Sequence, residues 1–237
     1  MFNIKHLVSG ENMKIGIIVA MDKELQLLLP MLEDLNTVGY GNRDYYQGRL
    51  AGRDIVVGKC GIGKVNAALG AADMLDLFEP DIVINTGVAG GTGATSSPAR
   101  VLDVVLATEV AYHDVWCGPG TEPGAAAGCP ARFVCPLDAD VRKALGAKEG
   151  LLASGDIFVD RREDLDRILA LYPDALAVDM ESAAIAHACY LHGVPFVCLR
   201  VVSDTPGEGG NAAAYENFWT AAPEATFKAV ERLLELL

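Results

Sequence analysis

Residues 177–204 read AVDMESAAIAHACYLHGVPFVCLRVVSD. The pattern changes twice along this stretch. Leu176–Met180 is a short apolar run broken by one acid. Glu181–Leu191 is alanine-rich and helical in character, and His192-Gly193 closes it as a C-cap signal. Pro195–Val202 is then dense in β-branched and aromatic residues. Strand, helix, strand predicts an α/β fold. Each apolar run also ends in acid, with Asp179 and Glu181 after the first and Asp204 after the second. In open α/β sheets ligands bind outside the carboxyl ends of strands, so acids at two such ends can converge on one pocket.

Working outward toward the N-terminus, Lys14–Ala20 (KIGIIVA) reads as a buried strand, and Asp22–Leu32 carries leucines and Met31 at helical spacing. Glu24 falls in the first helical turn, just past a strand end. Position alone leaves two readings: a functional acid, or one that complements the helix dipole for roughly a few tenths of a kcal/mol. Tyr45–Leu50 and Asp54–Cys60 predict a hairpin turning at Ala51-Gly52-Arg53. The next stretch, GKCGIGKVN, is not a nucleotide loop. Val65 stands where a P-loop needs Ser or Thr, and Asn66 replaces the third glycine of a dinucleotide fingerprint. Its glycines suit a tight turn or a close approach to a small ligand at the start of a helix over Val65–Phe78. Asp81–Asn85 is another buried strand and empties into a glycine-rich loop, TGVAGGTG, which is either merely flexible or presents backbone groups to a ligand.

Val101–Thr108 and Leu151–Ser154 are further strands, and Phe158 sits in the loop after the second. Residues 117–132 are an exposed excursion rich in Gly, Pro and Ala. Arg161–Leu171 is an amphipathic helix, TPGEGGNAA a mobile loop, and Tyr215–Leu237 one long closing helix. Asp179 solvates a strand end. Residues 1–12 lack periodicity and precede a second methionine, so they are expected to be a flexible extension to a fold that starts at Met13.

The 237 residues are 51% hydrophobic with mean hydropathy +0.25, as suits strands buried on both faces. One domain over 13–237 is expected. No apolar run approaches the ~20 residues of a membrane span. A net charge of −13 would repel a phosphate backbone, which excludes nucleic acid as the natural partner. The six cysteines are scattered without a CxxC pair and no secretory segment opens the chain, so reduced thiols and a cytoplasmic location are expected. The four histidines, His187 among them, have no metal-binding spacing, and no metal is expected.

Six stretches occur together in one order: KIGIIVAMDKE, GIGKVNAALG, PDIVINTGVAGG, SGDIFV, VDMESAAIAH and RVVSD. In order and spacing they resemble the 5′-methylthioadenosine/S-adenosylhomocysteine nucleosidases of the nucleoside phosphorylase superfamily, from about Met13 to the C-terminus. The resemblance implies a single-domain three-layer α/β sandwich, with a central mixed, mostly parallel sheet flanked by helices. It implies hydrolysis of the N-glycosidic bond of methylthioadenosine and S-adenosylhomocysteine, no cofactor, and a homodimer in which a partner residue closes the 5′ site. Residue by residue, Asp204 matches the general acid to adenine N7, oriented by Ser203, and Glu24 the base that activates water. Arg200 matches an arginine near the water site. Glu181, with the Met180 backbone, matches the pair that holds the ribose 2′ and 3′ hydroxyls. Phe158 resembles the ring stacked on adenine, whose edge the Val159 backbone reads. Ala89 and Gly90 line the base side, Met21 and Ile62 the apolar end, and Tyr215 covers the 5′ end.

The chemistry asks for such a pair independently. Breaking an N-glycoside through an oxocarbenium-like transition state needs a proton for the leaving base and an activated water at the sugar carbon. Two carboxyls supply both only if their environments differ. Asp204, after a densely apolar strand, is the candidate for the buried, protonated one. Glu24, at a helix N-terminus, is expected to stay ionised through the dipole. By itself Asp204 also suits a cap before Thr205-Pro206. Val88 departs from the resemblance, since many nucleosidases have serine there and one hydroxyl for the water is lost. Two rivals share the scaffold: a purine nucleoside phosphorylase, and an aminodeoxyfutalosine nucleosidase. Phosphorolysis needs a cation at the sugar face, where the position before the TG pair holds Asn85.

Overall fold

The computed structural model describes residues 13–207, 210–221 and 225–237; the extension at 1–12 lies outside the described residues. Strand β1 (Lys14–Val19) shows how the core is built. Its side chains alternate between two faces, as a strand's period of two requires. Ile15, Ile17 and Val19 join one apolar cluster with Leu25 and Leu28 of helix α1 (Asp22–Leu28), and Ile18 points into another. Beyond α1, a single 3₁₀ turn at Leu29–Met31 contains Pro30, which lacks the N–H that a longer helix would need.

The remaining strands are β2 (Glu33–Tyr40), β3 (Arg43–Leu50), β4 (Arg53–Lys59), β5 (Ile82–Gly91), β6 (Val104–Tyr112), β7 (Arg132–Val134), β8 (Lys148–Ser154), β9 (Ala175–Asp179) and β10 (Phe196–Asp204). The helices are α2 (Lys64–Phe78), α3 (Ala139–Leu145), α4 (Arg162–Leu171), α5 (Ser182–His192), α6 (Asn211–Ala221) and α7 (Ala225–Leu236). Helices α2 and α5 cover one face of the sheet, α1, α3 and α7 the other, and α4 packs on β8 and β9.

A mixed sheet flanked by helices is as expected, but two features of the expectation need correction. The sheet is not mostly parallel: five strand pairings are parallel and five antiparallel among the described residues. Nor is it a plain layered sandwich. The order runs β10-β6-β8-β9-β5-β1-β4-β3-β2, and β10 also pairs with β5, so five strands close into a ring from which β1, β4, β3 and β2 extend as a wing. Strong strand twist accumulates until such a sheet meets itself. The closing contact between β9 and β5 is antiparallel and spans only Gly90↔Val178 and Gly91↔Ala177. Two strands that run toward each other thus overlap only at their carboxyl ends, and that brings the ends of β5, β9 and β10 to one place.

Three local expectations also change. The glycine-rich stretch after Asn85 is not a loop as far as Gly91, because β5 continues through it, paired with β10 on one side. The C-terminal region is two helices, α6 and α7, where one was expected, with Pro223 between them in the sequence. Asn211 opens α6, although it was placed in a mobile loop.

Candidate active site

The carboxyl ends of β1, β5, β9 and β10, with the segment after β8, enclose a cleft of about 640 Å³ counting its open mouth. Every residue singled out above lines it: Met21, Glu24, Ile62, Ala89, Gly90, Phe158, Val159, Met180, Glu181, Arg200, Ser203, Asp204 and Tyr215.

Glu24 is the third residue of α1 and only 1% exposed. Its carboxylate reaches back to two N–H groups that precede the helix and across to one on β5. Ala20 and Met21 donate to Oε2 at 2.8 and 3.0 Å, and Val88 on β5 donates to Oε1 at 3.3 Å. Gly87 makes the approach possible. At its φ of 144° a Cβ would lie 2.2 Å from Glu24 Oε1 and 2.6 Å from Arg200 Nη1. Burial pushes the Glu24 carboxyl above its usual range, against the Arg200 charge and the three backbone donors. The helix terminus is therefore not the dominant influence, as position alone had suggested.

Arg200 sits inside the apolar strand β10, 1% exposed. Nη2 donates to Asp179 Oδ2 and Asn85 Oδ1, both at 2.5 Å, and to Ser182 Oγ at 2.9 Å, while Nη1 donates to the Thr86 carbonyl at 3.2 Å. Asp179 is thus no solvating strand end. It is a buried counter-ion, also held by the Ser154 hydroxyl at 2.5 Å and by Ser182. A signal for it existed: an arginine within FVCLRVV requires a buried carboxylate partner. Glu181, the residue before α5, accepts from the Gly63 N–H at 2.9 Å. Burial, then the neighbouring Asp179 charge, raises its pKa.

Asp204 ends β10 and is 4% exposed. Ser203 Oγ donates to its Oδ1 at 2.7 Å, and Asn211 Nδ2 to its Oδ2 at 3.2 Å. Burial again raises the carboxyl pKa, opposed by these two donors. Among the described residues the partners of Asp204 are these two side chains and not the N–H groups of a helix start. Asn211 was missed, since nothing in a run of Gly, Asn and Ala distinguishes a helix start that turns back on the site from an ordinary loop.

The open side is apolar. Phe158 is 46% exposed, and its ring meets Tyr215 edge-on with centroids 5.9 Å apart. Tyr215 donates its hydroxyl to Met21 Sδ at 3.1 Å, and Ile62 forms a half-exposed rim. The segment bearing Phe158 is anchored at its base, where Asp156 Oδ1 accepts the Lys64 N–H at 2.7 Å and Asp114 Oδ2 accepts from Lys64 Nζ and the Asp156 N–H. Among the described residues no group of His, Cys, Asp and Glu forms a metal site.

A cleft with two buried carboxyls, Glu24 just past β1 and Asp204 at the end of β10, on a mixed sheet flanked by helices, goes with a class: residues 14–235 match the model of the phosphorylase superfamily. Solved structures narrow it. A 5′-methylthioadenosine/S-adenosylhomocysteine nucleosidase from Neisseria meningitidis, in complex with methylthio-immucillin-A, is 37% identical, with TM-score 0.86 over 94% of this chain and 99% of that one. An S-adenosylhomocysteine nucleosidase from Streptococcus pyogenes is 33% identical, with TM-score 0.88 over 97% and 99%. The nucleosidase from Colwellia psychrerythraea 34H, in complex with adenine, is 36% identical, with TM-score 0.87 over 95% and 96%. The chain belongs to the 5′-methylthioadenosine/S-adenosylhomocysteine nucleosidase family.

Proposed function

We propose that the chain hydrolyses the N-glycosidic bond of 5′-methylthioadenosine and S-adenosylhomocysteine, releasing adenine and the 5′-thioribose product. One observation carries the choice of water as nucleophile. Among the described residues that line the cleft, Arg200 is the sole cation, and both its terminal nitrogens are engaged by protein groups. A phosphate would find no free cation and would meet Glu24 instead. That argues against the phosphorylase reading.

In the proposed reaction Glu24 takes a proton from water as its oxygen bonds to the anomeric carbon. The C–N bond breaks with its electron pair passing to adenine, and Asp204 delivers a proton to N7. Burial supports both roles, because an acid and a base serve best with pKa values near the working pH. Glu181 and the Met180 backbone hold the ribose hydroxyls. Phe158 stacks on adenine, the Val159 backbone reads its edge, and Ala89 and Gly90 flank it. Met21, Ile62 and Tyr215 surround the 5′ group. Arg200 acts on the base's field, and Ser203 on the acid's orientation.

The unit over 13–237 is taken as one domain and as half of a homodimer. Support for the dimer is an apolar surface on adjacent helices: Val65 and Leu69 one turn apart on α2, which follow the Ile62 rim closely in sequence, and Tyr190 and Leu191 on α5, all exposed. A partner there would close the 5′ end. Six free cysteines suit a reducing cytoplasm, where methionine salvage would use the products. In a single copy the half-exposed Ile62 leaves the 5′ end open, which favours aminodeoxyfutalosine, with its bulky 5′ group, as a competing substrate. Incubation with methylthioadenosine in phosphate-free buffer tests the reading. Adenine with free methylthioribose is expected; release only on adding phosphate, with a sugar 1-phosphate, overturns it.

A further inference from the structure

Asn211 is nearly buried at the start of α6. Its Nδ2 donates twice, to the Val159 carbonyl at 3.1 Å and to Asp204 Oδ2 at 3.2 Å. The two acceptors belong to different walls: Val159 follows β8 beside Phe158, and Asp204 ends β10. One amide group therefore ties the acid to the wall that faces the base. Ser203 donates to the other oxygen of Asp204, so both carboxyl oxygens are fixed and the carboxyl plane cannot turn. Proton delivery needs heavy atoms within about 2.6–3.2 Å, a tolerance that a carboxyl held at one oxygen loses by swinging. Asn211 itself does not line the cleft, so it acts through Asp204 and not on a substrate. One turn further along α6, Tyr215 holds Met21, whose N–H in turn holds Glu24. The same helix thus reaches the supports of both carboxyls.

We propose that Asn211 is a positioning residue for proton delivery: by bridging Asp204 to the Val159 carbonyl it aims the acid at the leaving base, and it makes that aim depend on α6 being docked. This rests on the nucleosidase reading above.

The test compares wild type with Asn211→Ala on two substrates. Methylthioadenosine needs a proton on its leaving base, whereas 4-nitrophenyl 5-methylthioriboside expels nitrophenolate with the bonding pair and needs none. On methylthioadenosine, kcat is expected to fall about 10- to 100-fold, a part of the 10²- to 10⁴-fold that a general acid supplies, with KM within threefold. On the nitrophenyl riboside the loss is expected to stay under threefold. Asn211→Ser keeps a residue favoured at helix starts while removing the amide, and it should show the same split if the alanine variant does not fold. Equal losses on both substrates, a change in KM alone, or no change overturns the proposal. A wild type that releases no adenine removes the nucleosidase reading and the proposal with it, an outcome distinct from an active wild type with an indifferent variant.

Discussion

Replacing Arg200 by methionine isolates the electrostatics of the site. Methionine keeps the length and apolar stem of the side chain but removes the charge facing Asp179 at 2.5 Å. Both partners are almost fully enclosed, so water cannot take over the lost interaction. Breaking a buried pair by deleting one partner costs about 3–5 kcal/mol, because the remaining charge has no counter-ion. A domain has only about 5–15 kcal/mol to lose. At about 2–4 °C per kcal/mol for a chain of this size, Tm should fall by roughly 6–20 °C. Urea unfolding followed by circular dichroism, at one protomer concentration to hold any assembly constant, reads the change. The double variant Arg200→Met with Asp179→Asn removes the stranded charge, while the new amide accepts from one of Ser154 and Ser182 with its oxygen and donates to the other hydroxyl with its NH2. It should recover at least about 2 kcal/mol of the loss. A catalytic signature accompanies the stability change: without the Arg200 charge, Glu24 rises further and is ionised over a narrower range, so kcat/KM should fall more at pH 6 than at pH 8. A single variant that loses under about 1 kcal/mol, or a double variant as unstable as the single, would refute the account of Asp179 as obligatory counter-ion.

Three other outcomes are expected. Asp204→Asn should lower kcat on methylthioadenosine by about 10²- to 10⁴-fold and leave nucleoside affinity, measured by calorimetry, within a few-fold; turnover within threefold of wild type would remove Asp204 as the acid. Gly87→Ala would push a methyl into Glu24 and Arg200 at a positive φ, so it should cost roughly 2–5 kcal/mol from overpacking and strain together and nearly abolish adenine release; a variant with wild-type Tm would show that β5 yields easily. The pH dependence of Tm follows from the raised carboxyls. A raised folded-state pKa contributes stability that is fully present below the unfolded value and lost as pH rises through the folded one. Glu24, Glu181 and Asp204 are all raised, so Tm should decline as pH rises from 4.5 through about 7, less steeply in Glu181→Gln; an unchanged slope in that variant would exclude Glu181 from the effect.

Much of the site was legible because its chemistry sits where local patterns end. Glu24, Glu181 and Asp204 each follow a short apolar run, and a strand's carboxyl end is where an α/β sheet binds ligands. What could not be read depends on contacts between distant segments. The ring closes through two residue pairs between β5 and β9, and neither Gly90-Gly91 nor Ala177-Val178 carries a signal for that partner. Strand β2 is exposed along nearly its whole length, so it lacks the alternation by which strands are recognised. Asp179 looked like a solvated strand end because its partner lies 21 residues away on another strand.

That last case bears on how the catalytic carboxyls share one cleft. Glu24, Asp179 and Glu181 surround a single guanidinium, so three ionised acids would leave two negative charges uncompensated in a buried space. Asp179, at 2.5 Å and in contact with the guanidinium, takes the cation. Glu24 and Glu181 are left with only its field and with backbone donors, and both are held above the usual carboxylate range by burial. After burial, the Asp179 charge is what raises Glu181, while Glu24 depends on the same guanidinium that Asp179 engages. Removing the Asp179 charge alone, as Asp179→Asn, frees the guanidinium's field for Glu24 and Glu181. It should lower both pKa values, moving the acid limb of kcat/KM to lower pH, the reverse of the shift expected for Arg200→Met.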